Sequence, residues 1–130
     1  MKVGDNILVY GTLKAGCGAN SFMQGRSEFV GDDRINGELY DLGAYPGFKM
    51  VGKSEVPGEP VPFHHDGPFV SGEVYRITDE QLPKMLDNYE GYPHLYDRRR
   101  MKTESGETVW VYTYANGNYI DYPRIESGSW

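Results

Sequence analysis

A chain of 130 residues with a formal net charge of −6 is expected to form one domain, 1–130, burying roughly two thirds of its unfolded surface. The negative balance argues against a nucleic-acid partner, whose phosphates need a basic footprint. The single cysteine, Cys17, excludes an internal disulfide and fits a reducing cytoplasm, and no apolar run reaches the length of a membrane span.

Abundant Gly and Tyr, 17 and 11 residues, suit many short strands joined by tight turns. The opening MKVGDNILVYG has too short an apolar stretch for a signal peptide and no cleavage site. Asn6-Ile-Leu-Val-Tyr10 reads as a buried strand that breaks abruptly into Gly11-Thr-Leu-Lys-Ala-Gly16. A strand ending in a glycine turn gathers backbone N–H groups, and such a nest suits a carboxylate or an oxyanion. Gly11 and Gly16 have the spacing of a phosphate-binding P-loop, but Cys17-Gly18 stands where Lys-Ser/Thr is required, which argues against a nucleotide.

A helical turn is expected over 20–24, then strands over 28–30 and 35–40 separated by a polar turn at Gly31-Asp-Asp-Arg34. A loop over 41–47 leads to a short strand at 48–51. Residues 53–68 are rich in Pro and Gly and read as a surface excursion. Residues 69–77 alternate as a strand. Thr78-Asp-Glu-Gln81 is a capping box opening a helix, although Pro83 sits late for its first turn. Strands over 96–104 and 107–115, joined by Ser105-Gly106, form a hairpin. Arg98, Arg99 and Arg100 fall within it, so neighbouring side chains point to opposite faces and do not make one basic patch. Asn116-Gly117 then turns the chain into its tail.

Within the helix, Leu82, Met85, Leu86 and Tyr89 are spaced i, i+3, i+4, i+7 and define one apolar face that Gly91 terminates. Glu90 lies only about 40° round from Leu86, so its carboxylate leans towards the core. Desolvation and the helix C-terminus both raise the pKa of a carboxylate so placed, which suits it to move protons near neutral pH. Position alone also admits a boundary glutamate whose head reaches water past Tyr89. His64-His-Asp66 has no second ligand pair, so no metal is expected, and no G-x-S-x-G elbow marks a serine hydrolase. Cys17 has no base that sequence can assign to it.

Val9-Tyr-Gly-Thr-Leu13, Gly37-Glu-Leu-Tyr-Asp-Leu-Gly-Ala-Tyr-Pro-Gly47, Gly72-Glu-Val-Tyr75 and Leu86-Asp-Asn-Tyr-Glu90 followed by Tyr96-Asp-Arg98 together resemble the gamma-glutamylcyclotransferase-like superfamily, in its gamma-glutamylamine cyclotransferase and AIG-like branch. The likeness spans nearly the whole chain, in order; 53–68 departs from it most and looks like an insertion. The resemblance implies an α+β fold, a strand-rich barrel-like mixed sheet with a few peripheral helices. It implies a cofactor-independent enzyme whose small-molecule gamma-glutamyl substrate is held by Tyr10, Gly11, Thr12 and Leu13, with Glu90 as general acid/base. The products would be 5-oxoproline and a free amine or amino acid, the departing group being read by loops such as 53–68. Two other readings keep the same residues: a non-catalytic binding module, and a gamma-glutamyl hydrolase or transferase.

Overall fold

In the computed structural model, six strands join one sheet: β1 Asn6–Val9, β2 Ser27–Asp41, β3 Pro46–Met50, β4 Phe69–Ile77, β5 Tyr96–Lys102 and β6 Thr108–Tyr114. Residues 1–115, 117 and 121–130 are described; Asn116, half of the turn expected at Asn116-Gly117, lies outside them. The strand order is β3-β2-β4-β1-β6-β5. β1 runs antiparallel to β4 and parallel to β6, so the sheet is mixed. It curls until β3 comes close to β5 and β6: the Tyr96 hydroxyl donates to the Pro46 carbonyl over 2.8 Å, and a Cβ on Gly47 would lie 3.4 Å from Tyr114 Cβ. The fold is thus the expected α+β, strand-rich barrel-like sheet, as a curled half-barrel. Among the described residues it carries one α-helix, α1 Leu82–Glu90, and a 3-10 turn at Asn20–Phe22.

Strand alternation divides the core in two. Leu8 and Tyr10 pack with Ile35, Phe48, Val74 and Val111, while Ile7 and Val9 pack with Ile77, Tyr96, Tyr112 and with Leu82 and Leu86 of α1. Both faces of β1 are therefore buried, which accounts for its unbroken apolar run.

β2 is one strand where two were expected. Gly31-Asp-Asp-Arg34 stays in the ladder because β4 pairs along the whole stretch from Ser27↔Ile77 to Asn36↔Phe69, with a bulge between Phe29 and Gly31. Beyond Asn36 the tail replaces β4: Ile125 N–H donates to Leu39 O over 2.7 Å and Asp41 N–H to Pro123 O over 2.8 Å.

The helix begins at Leu82, later than a capping box at Thr78 implies. The Thr78 and Asp79 N–H groups are drawn to the Arg26 carbonyl, at 3.0 and 3.1 Å, and Asp79 Oδ1 accepts from Gln81 N–H at 2.8 Å. Pro83 then falls in the first turn, where its missing N–H removes no intrahelical bond.

Residues 53–68 are irregular, as their composition predicts, but Val61 belongs to the core at 3% exposure. Its N–H donates to Arg100 O over 3.0 Å and its carbonyl accepts from Lys102 N–H over 2.8 Å. The excursion covers the edge of β5 at this point, where unpaired backbone would otherwise be exposed.

Candidate active site

Past β1 the chain turns at Gly11, where Lys14 N–H donates to Gly11 O over 3.0 Å. Ala19 N–H donates to Thr12 O and Asn20 Nδ2 to Leu13 O, at 2.9 and 2.8 Å, and Glu73 Oε1 accepts from Ala15 N–H at 2.7 Å. The loop carbonyls are thereby engaged. The N–H groups of Gly11, Thr12 and Leu13 donate to no acceptor among the described residues. Three consecutive free donors make an anion-binding concavity. A Cβ on Gly11 would lie 2.7 and 2.9 Å from Pro46 Cγ and Cδ, and its φ is not positive. Close approach of the proline is therefore what requires glycine there.

α1 ends because Gly91 takes the left-handed conformation, φ 65° and ψ 35°, and Tyr92 N–H reaches back to Asp87 O over 2.9 Å. Glu90 is the last helical residue. The buried face is narrower than the spacing predicts: Leu82 and Leu86 are buried, Met85 is half-buried and Tyr89 is exposed. Tyr89 instead stacks on Phe22, with ring centroids 4.9 Å apart, and its hydroxyl shares a 2.9 Å hydrogen bond with Thr12 Oγ1. That bond ties the helix end to the glycine turn.

Between turn and helix lies a cavity of about 340 Å³, a volume suited to a small molecule. Tyr10, Gly11, Thr12, Leu13 and Glu90 all line it, so the structure brings together every site residue the sequence nominates. Among the described residues Glu90 is the lone carboxylate of the lining, and no Lys, Arg or His joins it. Its side chain is half-buried and makes no hydrogen bond or ion pair among the described residues. Desolvation raises its pKa to about 7.

Sequence reasoning missed the other walls: Tyr45 and Pro46 from the β2–β3 corner, Leu95, Tyr96 of β5 and Tyr112 of β6. Burial pushes the Tyr96 and Tyr112 phenols well above their ordinary range, so both stay protonated. Their hydroxyls donate to Pro46 O and to Asp87 Oδ1, at 2.8 and 2.7 Å. The high tyrosine count was the available signal.

The remaining candidates stand apart from this cavity. Cys17, His64 and His65 do not line it, nor does any residue of 53–68, so that segment is not placed to read a ligand there. His64 is held through its backbone, which exchanges hydrogen bonds with the Asn36 side chain at 2.7 and 2.9 Å. The three arginines take separate partners: Arg98 pairs with Asp87, Arg99 with Asp97, and Arg100 donates to the Gly58 carbonyl.

Residues 7–130 match the family described as gamma-glutamyl cyclotransferase, AIG2-like. The chain is 36% identical over 126 residues to the gamma-glutamylcyclotransferase family protein YtfP of Escherichia coli K12, covering 95% of this chain and 94% of that protein. To the gamma-glutamylaminecyclotransferase of Rattus norvegicus it is 28% identical over 126 residues, covering 88% of this chain and 79% of the rat protein. Its fold matches the crystal structure of an AIG2-like protein from Mus musculus with a TM-score of 0.68 at 26% identity, across 97% of this chain and 87% of the mouse one.

Proposed function

Because the chain belongs to the gamma-glutamyl cyclotransferase, AIG2-like family, we propose that it releases 5-oxoproline from a gamma-glutamyl conjugate, with Glu90 as general acid/base and the 10–13 turn holding the glutamyl group. One observation carries this reading above the others. An unpartnered, partly desolvated carboxylate shares a cavity with three unused backbone donors.

A gamma-glutamyl group brings its own nucleophile. Its α-amine attacks the γ-carbonyl carbon, closing a five-membered lactam as the bond from that carbon to the departing nitrogen breaks. Holding the amine beside the carbonyl makes the attack intramolecular, which removes several kcal/mol of barrier. The proton lost by the attacking nitrogen must reach the departing one, and Glu90 carries it. An amine is a stronger base than an ordinary carboxylate, whose pKa is near 4.5, so proton transfer to such a carboxylate runs several kcal/mol uphill. Raising Glu90 to about 7 narrows that gap by about 3 kcal/mol. The N–H groups of Gly11, Thr12 and Leu13 are the donors available to the substrate α-carboxylate or to the oxyanion of the tetrahedral intermediate.

The charge of the lining favours an amine as leaving group. In a gamma-glutamyl amino acid a second carboxylate sits one carbon from the scissile nitrogen, close to Glu90 and with no cation in the wall. A plain amine places apolar atoms there, against Tyr45, Tyr89 and Leu95. The rat relative is named for gamma-glutamylamines.

A panel of gamma-glutamyl amines and dipeptides, assayed for 5-oxoproline, tests the reading. Turnover of the amines ahead of the dipeptides is expected. Free glutamate as product would make the protein a hydrolase, and binding without product would make it a binding module.

A further inference from the structure

Among the described residues, the hydroxyls of Tyr10, Tyr89, Tyr96 and Tyr112 all bond to groups other than Glu90. Tyr10 donates to Tyr112 O over 2.7 Å, Tyr96 to Pro46 O over 2.8 Å and Tyr112 to Asp87 Oδ1 over 2.7 Å, while Tyr89 shares its bond with Thr12. Asp87 is the one charged acceptor in this set. It stands one turn before Glu90 on α1, and its other oxygen pairs with Arg98. Arg98 and Tyr112 are direct cross-strand partners on β5 and β6, so Asp87 covers both at once. The Arg98 guanidinium is held in place by aromatic rings, 4.2 Å from the Tyr92 centroid and 5.6 Å from that of Trp110.

We propose that Asp87 is a positioning residue that withholds the Tyr112 hydroxyl from Glu90, and so keeps the Glu90 carboxylate free for substrate. Among the described residues, the phenols that line the cavity with Glu90 are Tyr10 just past β1, Tyr45 from the β2–β3 corner, Tyr89 from α1 itself, Tyr96 from β5 and Tyr112 from β6, and Asp87 pairs with Arg98. Tyr112 and Tyr96 line the same cavity as Glu90. A hydroxyl released beside the carboxylate can donate to it and stabilise it, and a stabilised carboxylate is a poorer base.

The test is an NMR titration of the Glu90 carboxyl in protein carrying 13C-labelled glutamate, made on the wild type and on Asp87→Ala and Asp87→Leu. Both variants are expected to lower the midpoint, by roughly one pH unit, the scale of one hydrogen bond to the charged form. Removing the freed hydroxyl in the alanine background, with Tyr112→Phe, is expected to bring the midpoint back. The acidic limb of the kcat/KM profile should move with it. An unchanged midpoint in either folded variant overturns the proposal, and so does a midpoint that falls but is not restored. Where Asp87→Ala does not fold, Asp87→Leu, which fills similar space and offers no acceptor, decides the same question. The functional meaning rests on Glu90 being the proton carrier, but the titration is read without substrate. It therefore stands or fails independently of whether 5-oxoproline is formed.

Discussion

Gly11 and Pro46 lie against one another so closely that a methyl group on the glycine would meet the proline ring at 2.7 Å. This contact joins the turn after β1 to the start of β3, and both segments line the cavity. A Cβ at Gly11 must push them apart, and overpacking of this kind costs about 1–3 kcal/mol. Gly11→Ala should therefore lower the melting temperature and weaken the binding of a gamma-glutamyl ligand in the protein that remains folded. Thr12→Ser should be mild, because the main-chain donors and the hydroxyl bonded to Tyr89 both survive. Wild-type affinity in folded Gly11→Ala would remove the turn from the glutamyl site.

Glu90 carries a second prediction. As a general base it works deprotonated, so kcat/KM should rise as pH increases through about 7. Glu90→Gln keeps the shape and loses the proton. Turnover should fall by roughly 10²-fold or more, the usual scale for lost acid–base catalysis, with ligand affinity nearly intact. Retention of most activity in folded Glu90→Gln protein would exclude this residue as the proton carrier.

Some of this architecture is local and some is not, which decides what a sequence can show. The spacing of Leu82 and Leu86, the stop at Gly91 and the strand-to-glycine break after Val9 depend on neighbours a few residues away. Signals of that range are enough to locate α1, Glu90 and the 10–13 turn along the chain. The tyrosine wall depends instead on sheet order. Tyr45, Tyr96 and Tyr112 come from separate segments, and only the curl of the sheet makes them neighbours. Gly31-Asp-Asp-Arg34 has the composition of a turn, yet pairing with β4 overrides that preference. Val61 shows the same limit. Its flanking prolines signal irregular backbone correctly, but they carry no sign of the β5 edge waiting for it.

Val61 supplies a third prediction, about stability alone. The side chain is buried in the core, whereas its neighbours from 53 to 60 are half-buried or exposed. Shortening the excursion before Val61 should change thermal stability and substrate preference little, since none of 53–68 lines the cavity. Val61→Ala should cost roughly 2 kcal/mol through the lost packing and the space left behind. Melting curves of the two variants separate these effects. A large change in leaving-group preference on shortening would mean that the segment reaches the cavity after all.

The fourth prediction follows from the sign of the Glu90 shift. Folding raises this carboxyl from 4.5 to about 7, so the folded protein holds its proton more tightly than the unfolded chain does. Below pH 4.5 both states are protonated and the group contributes nothing to the pH dependence. As pH rises from there to about 7, the unfolded chain releases the proton while the fold retains it, and stability falls across that window. Above it the charged group is a constant destabilisation, about 3 kcal/mol if the full shift applies. Glu90→Gln never ionises and escapes that cost. It should melt higher than the wild type at pH 8 and almost level with it at pH 4, although it is nearly inactive at both. Equal melting temperatures at pH 8 would show that Glu90 is better solvated than its place at the cavity wall implies. Such a carboxylate would also be too weak a base for the proton transfer proposed for it.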